Sequence, residues 1–177
     1  MGKITWYWNM IHYSVYLFFT NLFTLMNYIN PLYYILKISS VKRFYSKRGI
    51  DDMQGLTKTV VNNPKVGINS IHSGGLMGGL IVFLLFGIFN YSQVLFSASL
   101  GDWVFSNQTN DILFLSGLII PSLLFNYLIL FKRNKFLEYF KEFDAMDASK
   151  KTKYYCMSLI VVLFIISFFI VSFRFTK

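Results

Sequence analysis

The sequence predicts an all-α membrane protein in which four transmembrane helices form a small bundle. Of its 177 residues, 55% are hydrophobic and only 14% are charged, whereas a water-soluble domain carries roughly a quarter charged residues. Four apolar stretches are long enough to cross a bilayer, and the basic residues cluster in two of the three segments between them. Together these observations predict a single four-span transmembrane domain over residues 1–177.

The four predicted spans cover about 7–30, 75–96, 112–131 and 154–173. A span needs about 20 mostly apolar residues, because the hydrocarbon core is ~30 Å thick and a helix rises about 1.5 Å per residue. No Asp, Glu, Lys or Arg lies inside any of the four, as expected when a charge at the bilayer centre costs about 2.5 kcal/mol or more. The first stretch is longer than the apolar region of a secretory signal, so we expect it to be a retained anchor.

The basic residues set the predicted orientation. Seven Lys or Arg residues follow the first span and seven follow the third, while the segment between the second and third spans has only Asp102 and Asp111 as charges. Because basic loops stay on the cytoplasmic side, loops 37–73 and 132–153 are predicted to be cytoplasmic and both termini to be non-cytoplasmic. Since these charges flank membrane spans, the net charge of +9 is assigned to contacts with anionic lipid and not to a nucleic-acid partner.

The two cytoplasmic loops differ in pattern. Residues 132–153 predict a basic amphipathic helix between the third and fourth spans, because Phe136, Phe140 and Phe143 recur at helical spacing. We expect this helix to lie along the membrane or on a partner. The loop 37–73 is rich in turn-forming Gly and Asn residues that interrupt any long helix, and it is the expected place for specific recognition.

The first span carries a stripe of polar side chains, which at 100° per residue fall within an arc of about 80°. The stripe consists of Asn9, Tyr13, Tyr16, Thr20, Thr24 and Asn27. Polar groups without partners in hydrocarbon lose several kcal/mol, so the stripe is expected to face other helices or a partner subunit. A water-lined path along the stripe is the alternative.

The second span opens with four glycines that form two overlapping GxxxG pairs. The pairs are Gly74 with Gly78 and Gly75 with Gly79. Missing side chains let another helix approach closely in lipid, so these glycines are predicted to be helix-packing residues. The neighbouring His72 and Ser73 are candidates for contact with a ligand.

Residues that could perform catalysis are few. The sequence contains none of the familiar hydrolase, metalloprotease or nucleotide-binding motifs, and it has no carboxylate inside a span. Its single cysteine, Cys156, excludes a disulfide framework or a cysteine-based metal cluster within one chain. No catalytic residue, no metal site and no cofactor are therefore predicted.

These patterns favour a non-catalytic accessory, assembly or anchoring subunit of a larger membrane complex, held by helix–helix packing. Its expected partners are the lipid bilayer and other membrane protein subunits or a second copy of itself. The alternative function is a homo-oligomeric pore or small-solute transporter lined by the polar stripe. A multi-pass protein of the bacterial cytoplasmic membrane is expected, with the mitochondrial inner membrane as the alternative location.

Overall fold

The computed structural model describes residues 2–95, 100–104 and 106–175, and within them the chain forms helices and no β-strand. The nine α-helices of these residues are α1 (Lys3–Ile29), α2 (Pro31–Ile35), α3 (Ser39–Ser46), α4 (Met53–Val61), α5 (Ile68–Leu95), α6 (Leu100–Val104), α7 (Gln108–Asn126), α8 (Lys135–Asp144) and α9 (Ala148–Ser172). A π-helical turn, Tyr127–Phe131, and a 3-10 turn, Lys132–Asn134, join α7 to α8. The all-helical prediction is confirmed for the described residues.

Three helical stretches are long and apolar enough to cross a membrane. They are α5, the stretch Gln108–Asp144 that begins with α7, and α9. Helix α1 has 27 residues but is not among the three, because its polar side chains dilute its hydropathy. The fourth span is therefore not confirmed, whereas the multi-pass pattern of apolar helices is. The last residue of the predicted span 75–96 lies outside the described residues.

The predicted amphipathic helix over 132–153 is wrong in its length. Arg133 and Asn134 both adopt positive φ angles, 59° and 54°, and this left-handed backbone separates the preceding turns from α8. Helix α8 then ends at Asp144, and α9 begins at Ala148. The amphipathic element is thus a ten-residue helix. Of the rest of the predicted segment, Lys132–Asn134 form the 3-10 turn, 145–147 connect the two helices and 148–153 begin α9.

The chain divides into two compact units. One unit combines Met1–Ser14 with Gly75–Lys177, and the other is Val15–Gly74. Both boundaries fall inside long helices, α1 and α5. We call these the spanning unit and the loop unit, because the first contains α7 and α9 whole and the second contains α2, α3 and α4. The prediction of a single domain stays a prediction.

Aromatic rings and one buried hydrogen bond join α5 to α9 in the spanning unit. The rings of Phe83 and Phe169 stack with their centroids 4.4 Å apart. Near the ends of the two helices, the Asn90 side-chain amide donates to Ser172 Oγ over 2.9 Å. Such side-chain hydrogen bonds, together with close packing, hold helices together where lipid offers no hydrophobic driving force.

Helix α8 packs its apolar face on the first turns of α1. Phe136, Phe140 and Phe143 are all buried, and the ring of Tyr13 contacts both Phe140 and Phe143. The expectation that this face lies on the membrane or on a partner is corrected, because the same chain covers it.

Polar contacts reinforce the packing of α1 on α8. The Trp6 indole N–H donates to Glu142 over 2.9 Å, and the Tyr13 hydroxyl donates to the Asp144 carboxylate. The start of α1 therefore contacts a segment that the predicted topology puts on the opposite membrane face. The predicted orientation of the termini is not confirmed.

Caps and one tight turn define the short helices of the loop unit. Asn30 caps α2 by accepting from the Leu32 backbone N–H over 3.0 Å, and Asp52 caps α4 by accepting from that of Gly55 over 2.8 Å. Asn and Asp are the residues expected at such positions. A β-carbon added to Gly67 would lie 2.5 Å from two backbone carbonyl oxygens, so only glycine fits the turn that leads into α5.

Candidate functional site

Three glycines on one side of α5 form an open surface, which we call the glycine face: Gly75, Gly78 and Gly79. Apart from its chain neighbours and the backbone of α5 itself, a β-carbon added to any of them would have no atom of the described residues within 4 Å. Met77 and Leu80, which lie on the opposite side of the same turns, are fully buried. Helix α5 therefore buries one side within the chain and leaves the glycine face without a neighbour among the described residues. The fourth predicted packing residue, Gly74, lies one position earlier and is half-buried.

Gly87, which also lies in α5, has a close neighbour within the chain. A β-carbon added there would lie 2.5 Å from Cε1 of Phe168 in α9, closer than real atoms approach. The sequence analysis missed Gly87, because it has no glycine four residues away in either direction. No local signal in the sequence identifies Gly87, because the ring that requires glycine there belongs to a helix far away in the sequence.

The first two members of the polar stripe are buried within the spanning unit and bond to protein groups. The Asn9 amide donates to the carbonyl oxygens of Thr5 and Ile129, over 2.8 and 3.3 Å. Tyr13 donates to Asp144. These contacts agree with the interpretation that the stripe faces protein.

The other four stripe residues lie in the loop unit, and the three that follow Tyr16 are less buried than Tyr16. The Tyr16 hydroxyl donates to the Asn62 backbone carbonyl. Thr20 is half-buried, and the exposed Thr24 donates back to the Thr20 carbonyl over 2.9 Å. Asn27 lines a cavity. The six stripe residues therefore do not form one continuous surface.

His72 and Ser73 adjoin in sequence but have different surroundings. The Ser73 hydroxyl is fully buried and donates to the Ser70 carbonyl over 2.9 Å. The His72 ring is exposed and lies 5.6 Å from that of Phe19. Their predicted contact with a ligand stays a prediction. Across 2–95, 100–104 and 106–175, no group of three or more His, Cys, Asp or Glu side chains is placed to hold a metal ion.

A cavity of about 490 Å³ lies in the loop unit. It lies where the last turns of α1 meet α2 and the first turns of α4. The residues that line it include Thr24, Asn27, Asn30, Tyr33, Asp52 and Lys58, all of them polar. A cavity of this size suits a small ligand, for which sites of about 300–1,000 Å³ are usual.

The sequence analysis missed this cavity, although it named loop 37–73 as the place for recognition. Asn30 and Asp52 could have been recognised as helix caps, but caps locate helix ends and do not show which helix ends meet. Two residues of the cavity lining are joined by a long-range contact, in which the Gln54 amide donates to the Tyr33 carbonyl over 2.9 Å. That contact has no sequence signature.

Comparison with known proteins adds no constraint on these sites. No family model matches the chain, and neither a curated protein nor a solved structure matches it significantly.

Proposed function

We propose that the chain is a non-catalytic subunit of a membrane complex, and that it binds another membrane protein or a second copy of itself through the glycine face of α5. The observation that carries the proposal is the open space at Gly75, Gly78 and Gly79. In lipid, helices associate through van der Waals contact between closely approaching backbones, and small residues permit that approach. A helix from another chain is the neighbour that such a surface fits.

An energetic argument supports this proposal. A glycine in a helix interior is destabilising by roughly 0.5–1 kcal/mol relative to alanine, so the three glycines together cost about 1.5–3 kcal/mol. At Gly67 and Gly87 a close neighbour of the same chain explains why glycine is needed. No such neighbour among the described residues requires glycine at the three positions of the glycine face. A partner helix packed against this face would require it.

The pore alternative receives less support from the polar stripe. A pore wall needs side chains that present polar groups to water, but Asn9 and Tyr13 are buried and direct their donors to protein groups of the same unit. We therefore propose a packing subunit and not a channel.

We also propose a membrane topology with three spans, in which the amino terminus lies on the same membrane face as the basic connection between α7 and α9. Trp6 and Tyr13 of α1 contact Glu142 and Asp144 of α8, and α8 belongs to that connection. With three spans the amino terminus is cytoplasmic and the carboxyl terminus is non-cytoplasmic. The excess of basic residues still lies on the cytoplasmic side.

Photocrosslinking tests the packing proposal. A photoreactive phenylalanine analogue placed at Gly75 should form a protein adduct in native membranes, whereas one at Gly117 should react mainly with lipid. Gly117 is a matched control, because it is a glycine of the apolar helix α7 with equally open space around it. The proposal fails if both positions give the same protein adducts or if Gly75 gives none.

Cysteine labelling distinguishes the two topologies. After Cys156→Ser removes the one native thiol, Gly2→Cys and Arg174→Cys are probed with an impermeant maleimide on sealed, right-side-out membrane vesicles. Three spans predict labelling at position 174 and protection at position 2. Labelling at both positions would restore the four-span arrangement with both termini outside.

A further inference from the structure

The cavity of the loop unit combines a positive charge, unused polar groups and an apolar rim. We propose that it binds the headgroup phosphate of a phospholipid. This inference concerns a different surface from the glycine face and does not depend on it.

The positive charge comes from Lys58, which lines the cavity. Among the described residues the lysine has no carboxylate partner, since the ion pairs found there involve Lys150 and Lys151 only. An unpaired ammonium group beside a cavity attracts an anion.

A second cation contacts a residue of the cavity wall. Tyr33 lines the cavity, and the Lys37 ammonium lies 4.6 Å from the centre of its ring. This cation–π contact holds a positive charge near the cavity without neutralising it. The loop unit as a whole has seven basic residues and two acidic ones. Its net positive charge further favours an anionic ligand.

The acidic residue of the cavity is already engaged. Asp52 Oδ1 accepts from the Gly55 backbone N–H over 2.8 Å as the cap of α4. The two lysines, Lys58 and Lys37, outnumber this one carboxylate. Asn27, by contrast, is half-buried and lines the cavity, and none of the hydrogen bonds found among the described residues uses its side chain. Its amide can donate to a phosphate oxygen beside Lys58.

The rim of the cavity favours a lipid over a soluble phosphate compound. Tyr28 and Leu32 line the cavity, yet they are 66% and 64% exposed. Leu25 and Ile29, on the same end of α1, are 59% and 78% exposed. A soluble phosphate ester would leave these apolar side chains uncovered, whereas a phospholipid covers them with its acyl chains while its headgroup occupies the polar cavity.

Native mass spectrometry of the full chain tests the proposal. The protein is delipidated in mild detergent and titrated with phosphatidylglycerol. We expect saturable binding that Lys58→Ala weakens about tenfold, because a hydrogen bond to a charged group is lost. Lys58→Arg should retain most of the affinity, since it keeps the charge.

The matched control is Lys65→Ala, which removes a lysine of the same unit that does not line the cavity. Its affinity should equal that of the unmodified chain, and circular dichroism verifies that all variants are folded. Equal binding by Lys58→Ala and Lys65→Ala would overturn the proposal.

A soluble competitor separates the two sources of phosphate. Glycerol phosphate should displace the lipid only at concentrations at least 100-fold higher, because it lacks acyl chains to cover the rim. Leu32→Ser should weaken the binding of lipid and leave the binding of glycerol phosphate unchanged. If glycerol phosphate binds as tightly as the lipid, the cavity is a site for a soluble phosphate ester and the lipid proposal is wrong.

Discussion

Helix α5 uses glycine in two opposite ways along its length. At Gly87 the missing side chain makes room for the Phe168 ring of α9, whereas at Gly75, Gly78 and Gly79 the space remains open. The difference lies in the neighbouring helix and not in the glycines themselves. A glycine in an apolar helix therefore marks a place where a helix can approach, and the structure shows whether that approach occurs within the chain.

The packed part of α5 also has the contacts that stabilise the chain's own fold. Within two turns of Gly87, Phe83 stacks on Phe169 and Asn90 bonds to Ser172. At the glycine face, by contrast, an added β-carbon would meet no other element of the described residues within 4 Å. Substitutions in the two regions should therefore act on different properties, stability in the first and assembly in the second.

The largest effect is expected for Gly87→Leu. A side chain at this position overlaps the Phe168 ring, and forcing extra atoms into a packed contact costs about 1–3 kcal/mol. The unfolding temperature in detergent should fall clearly. Gly117→Leu, which adds the same side chain in open space, is the control, and equal unfolding temperatures for the two variants would contradict the comparison.

The opposite sign is expected for Gly78→Ala. The position has a helical backbone and open space for a methyl group, so alanine should stabilise the isolated chain by about 0.4–1 kcal/mol through the unfolded state. Gly87→Ala should destabilise it, because its β-carbon is 2.5 Å from the ring. Thermal unfolding of both alanine variants measures the contrast. A loss of stability at both positions would show that the glycine face is occupied within the chain.

These contrasts show how much of the structure the sequence could predict. Hydropathy was sufficient to predict the helical class and three apolar helices, because it depends on local composition alone. The break at Arg133 and Asn134 was missed, since positive φ angles are unusual for non-glycine residues and arginine gives no signal for them. The sequence analysis named the glycine face but missed Gly87, because its partner Phe168 is distant in sequence.

The smallest effect is expected for Asn90→Ala. The variant removes a buried hydrogen bond to Ser172, and such bonds between membrane helices average about 0.6 kcal/mol. A matched Ser172→Ala variant should lose a similar amount, and the double variant should lose no more than either single one. Full additivity in unfolding experiments would indicate that the two side chains do not act as a pair.

The most direct test of the account compares assembly with stability in two variants of α5. On native gels of membranes solubilised in mild detergent, Gly75→Leu combined with Gly79→Leu should lose the complex while its unfolding temperature does not fall. Gly87→Leu should have a lowered unfolding temperature, and its remaining folded fraction should still assemble. The account is contradicted if the double variant keeps its complex, or if it loses the complex only together with its fold.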